Sequence, residues 1–157
     1  MMRQLRPVDL DFLDSAPLRL VFAAEVAASP EEMYVALAKD VAGWSHWFTG
    51  VSRAVATDGG AARDVRLKGG TRLRETVMVA ERDRRYTYRV DAVGVPGPHA
   101  LMEDWRLIPA GGGTRVRWMF ATDGPGAYRF AVTLARPALG RTFRASMRAL
   151  DRRLAPV

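Results

Sequence analysis

The stretch Trp44-Ser-His-Trp-Phe48 marks the point at which the periodicity of the chain changes. Before it, the sequence Ser29-Pro-Glu-Glu32 predicts a helix start, because a serine caps, a proline suits the first turn and Glu32 completes a capping box. After it, apolar and polar residues alternate with a period of two as far as Phe120, which predicts β-strands. We therefore expect two short helices between residues 29 and 48, followed by a sheet.

One strand is predicted before the two short helices and six after them. The first is Leu18–Val26, in which every second residue is apolar. Neighbouring strands joined by short turns pair antiparallel, so we expect one antiparallel sheet of about seven strands. The later strands are predicted at 51–57, 63–68, 71–81, 85–93, 101–108 and 114–122, separated by glycine-rich turn sequences.

The C-terminal part of the sequence predicts a long helix over residues 127–154. Phe130 and Leu134 begin an apolar row that recurs at helical spacing along this segment. Pro137 lies inside the row and predicts a kink or a break, because proline cannot donate the helical hydrogen bond and clashes with the preceding turn.

Residues 1–17 mix charged and apolar side chains and are expected to form an N-terminal arm. A run of strands followed by a helix indicates the α+β class. With 157 residues, the chain has the size of one domain, which we assign to 1–157.

Three motifs in this order carry a resemblance to a known superfamily. They are the aromatic stretch Trp44–Phe48, the strand Arg84-Arg-Tyr-Thr-Tyr-Arg-Val90 and the strand Gly113-Thr-Arg-Val-Arg-Trp118. Together with the C-terminal helix they resemble the START-like superfamily, also described as the Bet v 1-like or polyketide cyclase/dehydrase and lipid-transport family, over residues 18–154. The resemblance implies a helix-grip fold, in which a curved sheet wraps around a long helix and leaves a ligand cavity between them.

The arginines indicate which face of each strand lines that cavity, because a charged guanidinium belongs on the solvent side. With Arg85 and Arg89 outside, for example, Tyr88, Val90 and Ala92 face inward. The same argument on the other strands, with the apolar side of the helix, gives the predicted ligand-binding residues. They are Phe22, Val65, Leu67, Glu75, Val77, Tyr86, Tyr88, Glu103, Trp105, Trp118, Phe120, Phe130 and Leu134.

Two carboxylates, Glu75 and Glu103, fall on the predicted inward face. A buried carboxylate is either paired or protonated, because desolvation disfavours its charged form. An unpaired one can act as a general acid or base, or hold a ligand hydroxyl or amine. Glu75, Glu103 and Tyr86 are therefore the candidate catalytic residues. The alternative is that Arg63 or a tyrosine satisfies each carboxylate and that its role is structural.

Positive charge is concentrated at the C-terminus. Seven arginines follow Gly126 against one acidic residue, in a chain of net charge +7. Arg141, Arg144, Arg148 and Arg152 recur at three- and four-residue steps, which predicts a stripe on one side of the helix. The stripe is either a solvated face or a weak contact surface for an anionic membrane. No recognition motif for nucleic acid is present, so no specific nucleic-acid partner is expected.

Composition argues against several classes of site. The chain has no cysteine and therefore no disulfide or thiol chemistry. Its two histidines lack a third ligand at metal spacing, so neither a metal nor a cofactor is predicted. No apolar run approaches the roughly 20 residues of a membrane-spanning helix. The N-terminus lacks a secretory pattern, so we expect a cytoplasmic monomer or homodimer.

Three functions are compatible with these observations. The first is the binding or transport of a hydrophobic or amphipathic small molecule, such as a lipid, polyketide or isoprenoid, between the sheet and the C-terminal helix. The second, implied by the resemblance, is a polyketide cyclase, aromatase or dehydratase that uses an inward carboxylate or tyrosine. The third is an interaction module similar to the chaperone activators that share this fold.

Overall fold

The computed structural model describes residues 1–157, whose elements follow the order expected from the sequence. The structure contains one π-helical turn (Val35–Lys39) and two 3-10 turns (Val41–Gly43 and Asp58–Gly60). The helices and strands are β1 (Arg3–Gln4), α1 (Phe12–Ser15), β2 (Leu18–Val26), α2 (Pro30–Tyr34), α3 (Trp44–Trp47), β3 (Val51–Thr57), β4 (Ala62–Leu67), β5 (Arg72–Glu81), β6 (Arg85–Val93), β7 (Ala100–Ala110), β8 (Gly113–Asp123), α4 (Gly126–Leu134) and α5 (Arg136–Leu154).

All strands belong to one antiparallel sheet in the order β2-β8-β7-β6-β5-β4-β3. The predicted α+β fold with about seven antiparallel strands is confirmed. The short strand β1 is an addition, and it pairs antiparallel with the end of β6. No helix of the structure is both long enough and apolar enough to cross a membrane.

The helix start predicted at Ser29 forms a capping box. The backbone N–H of Glu32 donates to the Ser29 hydroxyl, and the Glu32 carboxylate accepts from the backbone N–H of Ser29. The helical region that follows ends in the aromatic stretch, where the Trp44 indole donates to the Leu37 carbonyl oxygen at 2.9 Å. These bonds help to hold the aromatic rings in the main core against the sheet.

The predicted C-terminal helix is divided into two helices. α4 ends at Leu134, and Ala135 forms the junction. Pro137 lies in the first turn of α5, where a backbone N–H would make no hydrogen bond within the helix, so proline is tolerated there. The break is the one that the proline predicts. α5 packs on the concave face of the sheet through buried residues such as Phe143, whereas α4 has no buried residue.

The N-terminal arm covers part of the convex face of the sheet. Phe12 and Leu13 pack with Met102 and Met119 in a cluster separate from the main core. The strand β7 is therefore buried on both faces. Asp104 alternates with the inward Glu103 and lies on this outer face, but it is not exposed to solvent. Its side chain is 2% exposed, because arginine and threonine side chains enclose it and donate hydrogen bonds to it.

Candidate functional site

A cavity of about 280 Å³ lies between the concave face of the sheet and the C-terminal helices. It forms because α5 covers only part of the curved sheet. Fifteen of its 21 lining residues are hydrophobic. The lining side chains are those of Trp44, Phe48, Val51, Arg63, Val65, Leu67, Thr71, Leu73, Glu75, Tyr88, Val90, Val93, Val95, Pro96, Pro98, Leu101, Glu103, Trp118, Phe120, Tyr128 and Leu139.

The two ends of the cavity differ in exposure and in polarity. Val95 and Pro96, in the loop between β6 and β7, are exposed, and Leu139 of α5 is half-buried. We take these residues to form the mouth. The charged lining residues Arg63 and Glu75 are 2% and 1% exposed and therefore lie at the closed end. These two residues are the lining side chains with charge that are most shielded from solvent.

An ion pair between Arg63 and Glu75 occupies this closed end. The two residues face each other on the adjacent strands β4 and β5, and Arg63 Nε donates to Glu75 Oε1 at 2.5 Å. The guanidinium also lies 4.0 Å from the ring centre of Tyr88 and 4.3 Å from that of Trp44. These cation–π contacts keep the charge in place between two aromatic faces.

One nitrogen of the same guanidinium has no partner. Arg63 Nη1 is fully buried and donates no hydrogen bond within the protein. This atom has less than 1 Å² of accessible surface, so its donor is unpaired and is also out of reach of the cavity.

The second carboxylate, Glu103, ends a chain of hydrogen bonds between aromatic side chains. Trp105 Nε1 donates to the Tyr88 hydroxyl at 3.2 Å, and that hydroxyl donates to Glu103 Oε1 at 3.0 Å. Trp118 Nε1 donates to the same oxygen at 2.8 Å. Both bonds end on Oε1, so Glu103 Oε2 accepts none and is available to the cavity.

Burial dominates the ionisation of this cluster. Burial, followed by the nearby negative charge of Glu75, raises the pKa of Glu103 to about 7. Burial also raises the pKa of Glu75, and the adjacent Arg63 guanidinium opposes that rise. Burial alone would lower the pKa of Arg63, but Glu75 and Tyr88 reverse this, so the guanidinium keeps its charge. With a pKa of about 7, Glu103 can gain or lose a proton near neutral pH.

Comparison with known proteins assigns the chain to a family. A family model described as polyketide cyclase / dehydrase and lipid transport matches residues 18–155. The chain belongs to this family. Members of the polyketide cyclase / dehydrase and lipid-transport family are associated with hydrophobic ligands, and the resemblance inferred from the sequence is confirmed.

Relatives in sequence and in structure agree with this assignment. The uncharacterised protein Rv2574 of Mycobacterium tuberculosis is 29% identical over 150 residues, which cover 92% of this chain and 89% of that protein. The XoxI protein of Bacillus cereus has a TM-score of 0.68 at 17% identity, covering 85% of this chain and 93% of its own. A START superfamily protein from Mycobacterium smegmatis has a TM-score of 0.60 at 13% identity, covering 81% and 96%. At these identities the solved structures support the shared fold alone.

The residues predicted to bind a ligand in this family member fall into three groups. Seven of them line the cavity, namely Val65, Leu67, Glu75, Tyr88, Glu103, Trp118 and Phe120. Four others, Phe22, Val77, Tyr86 and Trp105, pack in the main core without lining the cavity. Tyr86 is thereby separated from the ligand space, which leaves Glu75 and Glu103 as the catalytic candidates in the cavity wall.

Phe130 and Leu134 form the third group, and their predicted position is wrong. Their side chains are 65% and 66% exposed. The helix break at Ala135 separates the faces of α4 and α5, so the apolar row does not continue across it. Tyr128 is the α4 residue that lines the cavity, and Phe130 follows it by about 200° around the helix, on the opposite side.

The predicted ligand-binding list lacks the residues that form the mouth and several residues of the wall, among them Val51, Leu73 and Val93. Val93, and not Ala92, lines the cavity. Arg74 pairs with Ala92 and Glu75 pairs with Val90, so Asp91 is an extra residue that reverses the parity at the end of β6. A bulge of this kind leaves no periodic signal in a strand of nine residues.

Proposed function

We propose that this protein binds a hydrophobic or amphipathic small molecule, of lipid, polyketide or isoprenoid type, in the cavity between the sheet and the C-terminal helices. The observation that carries the proposal is a largely apolar cavity in which the three charged lining residues, Arg63, Glu75 and Glu103, are all buried. Affinity would come mainly from apolar surface removed from water, at roughly 25 cal/mol per Å² before the costs of association. The family assignment supports the same class of ligand.

Native mass spectrometry of the protein purified from its own host tests this proposal. We expect a co-purifying apolar molecule in the wild type. Leu73→Trp fills the cavity from its wall and should remove that molecule. Ile108→Trp, at a position that is 47% exposed and outside the cavity, is the matched control and should retain it. A molecule that survives Leu73→Trp and is lost with Ile108→Trp would place binding elsewhere.

A polyketide cyclase or dehydratase is the second candidate function, and one observation favours it. Glu103 has a pKa raised to about 7 and a free oxygen in the cavity wall, which are the properties of a group that accepts and returns a proton near neutral pH. Glu103→Gln separates the two functions. A binding protein would carry the same molecule as the wild type. An enzyme would accumulate an unreacted precursor in the variant, which differs in mass where water is lost and in chromatographic retention where the reaction is a ring closure alone.

We propose in addition that the C-terminal helices touch an anionic membrane when the ligand is exchanged. The seven arginines that follow Gly126 are all exposed and none forms an ion pair with an acidic side chain. Each would contribute about 1 kcal/mol near such a surface. Phe130 and Leu134 add exposed apolar area on α4. The same helix contains Tyr128, which lines the cavity.

Sedimentation with phosphatidylcholine vesicles of increasing phosphatidylserine content tests the membrane contact at low salt. We expect binding to rise with anionic lipid and to weaken in Phe130→Ser/Leu134→Ser. Val35→Ser, at a position that is 46% exposed in the helical region after β2, is the control and should bind as the wild type does. Absence of binding at every lipid composition would leave the arginines as a solvated face.

A further inference from the structure

The convex face of the sheet carries an arginine ladder, formed by Arg53, Arg66 and Arg72 on the adjacent strands β3, β4 and β5. Arg53 is opposite Arg66, and Arg66 is opposite Arg72. Arg66 and Arg72 alternate along their strands with the cavity-lining Val65 and Leu73, so the ladder projects from the other face of the sheet. All three arginines are exposed. Neighbouring strands lie about 5 Å apart, so three positive charges stand side by side at two steps of that length.

The charges of the arginine ladder are not neutralised within the protein. Like charges directly opposite each other on neighbouring strands are destabilising. None of the three guanidinium groups forms an ion pair with an acidic side chain. The next row on the same face of β4 and β5 differs in this respect, because Arg74 pairs with Asp64 at 3.5 Å. The arginine ladder is therefore a local excess of positive charge.

A second pair of opposed arginines on the convex face shows how such charges are neutralised elsewhere in the sheet. Arg85 of β6 is opposite Arg106 of β7. Both donate to the carboxylate of Asp104, at 2.8 and 2.9 Å, and each binds a separate oxygen atom. The arginine ladder has the cations of this arrangement without the anion. An oxyanion from a ligand can therefore take the place there that Asp104 holds between Arg85 and Arg106.

A surface depression of about 190 Å³ adjoins the arginine ladder and gives such an anion room. Asp64 is the acidic residue of its lining, and its charge is already compensated by Arg74. The three charges of the ladder thus remain available to a ligand. The lining residues are Met2, Arg53, Val55, Asp64, Val65, Arg66, Arg72 and Leu73.

The number of arginines indicates the kind of anion. One carboxylate neutralises two guanidinium groups at a single step, as Asp104 does. Three guanidinium groups at two successive steps match a longer oxyanion with more charge. Arginine binds phosphate oxygens through parallel hydrogen bonds from its planar fork, and two linked phosphate groups present one such acceptor set at each step.

We infer that the arginine ladder binds the phosphate groups of a ligand, and that a diphosphate group fits it better than a single phosphate. Each phosphate of the pair would lie between two neighbouring arginines, with the guanidinium of Arg66 shared between them. Soluble phosphate compounds and phospholipid headgroups both offer this chemistry. The site lies on the face of the sheet opposite the cavity, so the inference does not depend on the proposed function.

Calorimetric titration of the wild-type protein with inorganic phosphate and with pyrophosphate at low salt tests the inference. We expect pyrophosphate to bind at least about tenfold more tightly than phosphate, because it engages one more guanidinium. Arg66→Gln removes the shared guanidinium and should weaken pyrophosphate binding at least about tenfold. Arg82→Gln removes the same charge from the turn after β5, where the side chain is 81% exposed, and should bind as the wild type does.

A second variant tests the two steps separately. Arg53→Gln removes one end of the ladder and keeps the step between Arg66 and Arg72. Phosphate binding should persist in this variant, and the advantage of pyrophosphate over phosphate should be lost. Equal affinities for the two anions in the wild type would overturn the preference for a diphosphate group.

Two results would overturn the site itself, and both would leave the cavity proposal intact. One is the absence of binding of either anion at low salt. The other is an equal loss of pyrophosphate binding in Arg66→Gln and Arg82→Gln, which would mean that only the net charge of the chain attracts the anion.

Sedimentation with vesicles of phosphatidylcholine mixed with phosphatidic acid identifies the source of the phosphate. Loss of vesicle binding in Arg66→Gln but not in Arg82→Gln would assign the arginine ladder to a lipid headgroup. Unchanged vesicle binding in a variant that has lost pyrophosphate would assign it to a soluble phosphate compound.

Discussion

Replacing Glu103 with glutamine removes a titrating group and keeps its hydrogen bonds. Tyr88 and Trp118 both donate to Oε1 of this residue, and a glutamine carbonyl oxygen at the same position accepts both. The substitution therefore changes the protonation chemistry of the site with little change in packing. The difference in free energy of unfolding between the variant and the wild type should therefore depend on pH. The shift in the pKa of Glu103, caused mainly by burial, determines the sign and the size of that dependence.

The pKa of Glu103 is raised from 4.5 to about 7, first by burial and then by the charge of Glu75. The folded protein holds this proton more tightly than the unfolded chain does. The stabilisation is therefore complete below about pH 4.5 and is lost as the pH rises through about 7. One pKa unit corresponds to about 1.4 kcal/mol, so the interval between these two values corresponds to about 3 kcal/mol. Glutamine does not titrate, so the variant does not lose this stabilisation as the pH rises.

Urea denaturation of wild type and Glu103→Gln at pH 5, 6, 7 and 8 measures the difference. We expect the variant to be more stable than the wild type by about 1 kcal/mol at pH 5 and by about 3 kcal/mol at pH 8. With a slope of about 2 kcal/mol per molar urea, the larger value moves the midpoint by about 1.5 M. Glu25→Gln, an exposed carboxylate of β2, is the control. A difference that stays constant across this pH range would refute the assignment of a buried, proton-retaining Glu103.

Three further substitutions test the core and the site. Arg63→Met should lower the free energy of unfolding by about 3–5 kcal/mol, because it leaves Glu75 buried without a partner, and Arg63→Met/Glu75→Met should recover most of the loss in urea denaturation. Trp105→Ala should lower it by about 3–5 kcal/mol, since this side chain is 0% exposed, and an unchanged Tm would contradict that position. Asp151→Ala removes the acceptor of two backbone amides after β2, one exposed and one part-buried, and should lower the free energy of unfolding by about 0.5–1.5 kcal/mol for each bond. Faster hydrogen exchange at those amides would verify the tie between β2 and α5, and unchanged exchange would disprove it.

The order of elements could be predicted from the sequence because period and turn chemistry are local properties. The capping box at Ser29, the strand Leu18–Val26 and the break near Pro137 all depend on residues within one or two turns of each other. The inward position of Glu75 and Glu103 follows in the same way from alternation. Pairing of Glu75 with Arg63 was one of two alternatives that alternation left open.

Other features depend on contacts that periodicity does not contain. Phe130 is apolar and at helical spacing, yet the direction of α4 after the break determines that it faces outward. Asp104 looks like a surface residue because the side chains that enclose it come from neighbouring strands. The unpaired Arg63 Nη1 is a property of one atom, which the residue type and its position in the strand do not reveal. The sequence predicts which residues meet at the site but not which of their atoms remain free.

The N-terminal arm has a consequence for how the protein can be shortened and handled. The family match begins at residue 18, but Phe12 and Leu13 of the arm lie over the thioethers of Met102 and Met119 on the convex face. A chain that started at Leu18 would keep every element of the family fold and would still expose a sulfur-bearing apolar strip. Peroxide would convert such methionines to polar sulfoxides on the outer surface of the two strands. Removal of the arm should therefore make Met102 and Met119 accessible to peroxide in a chain that still contains the whole family match.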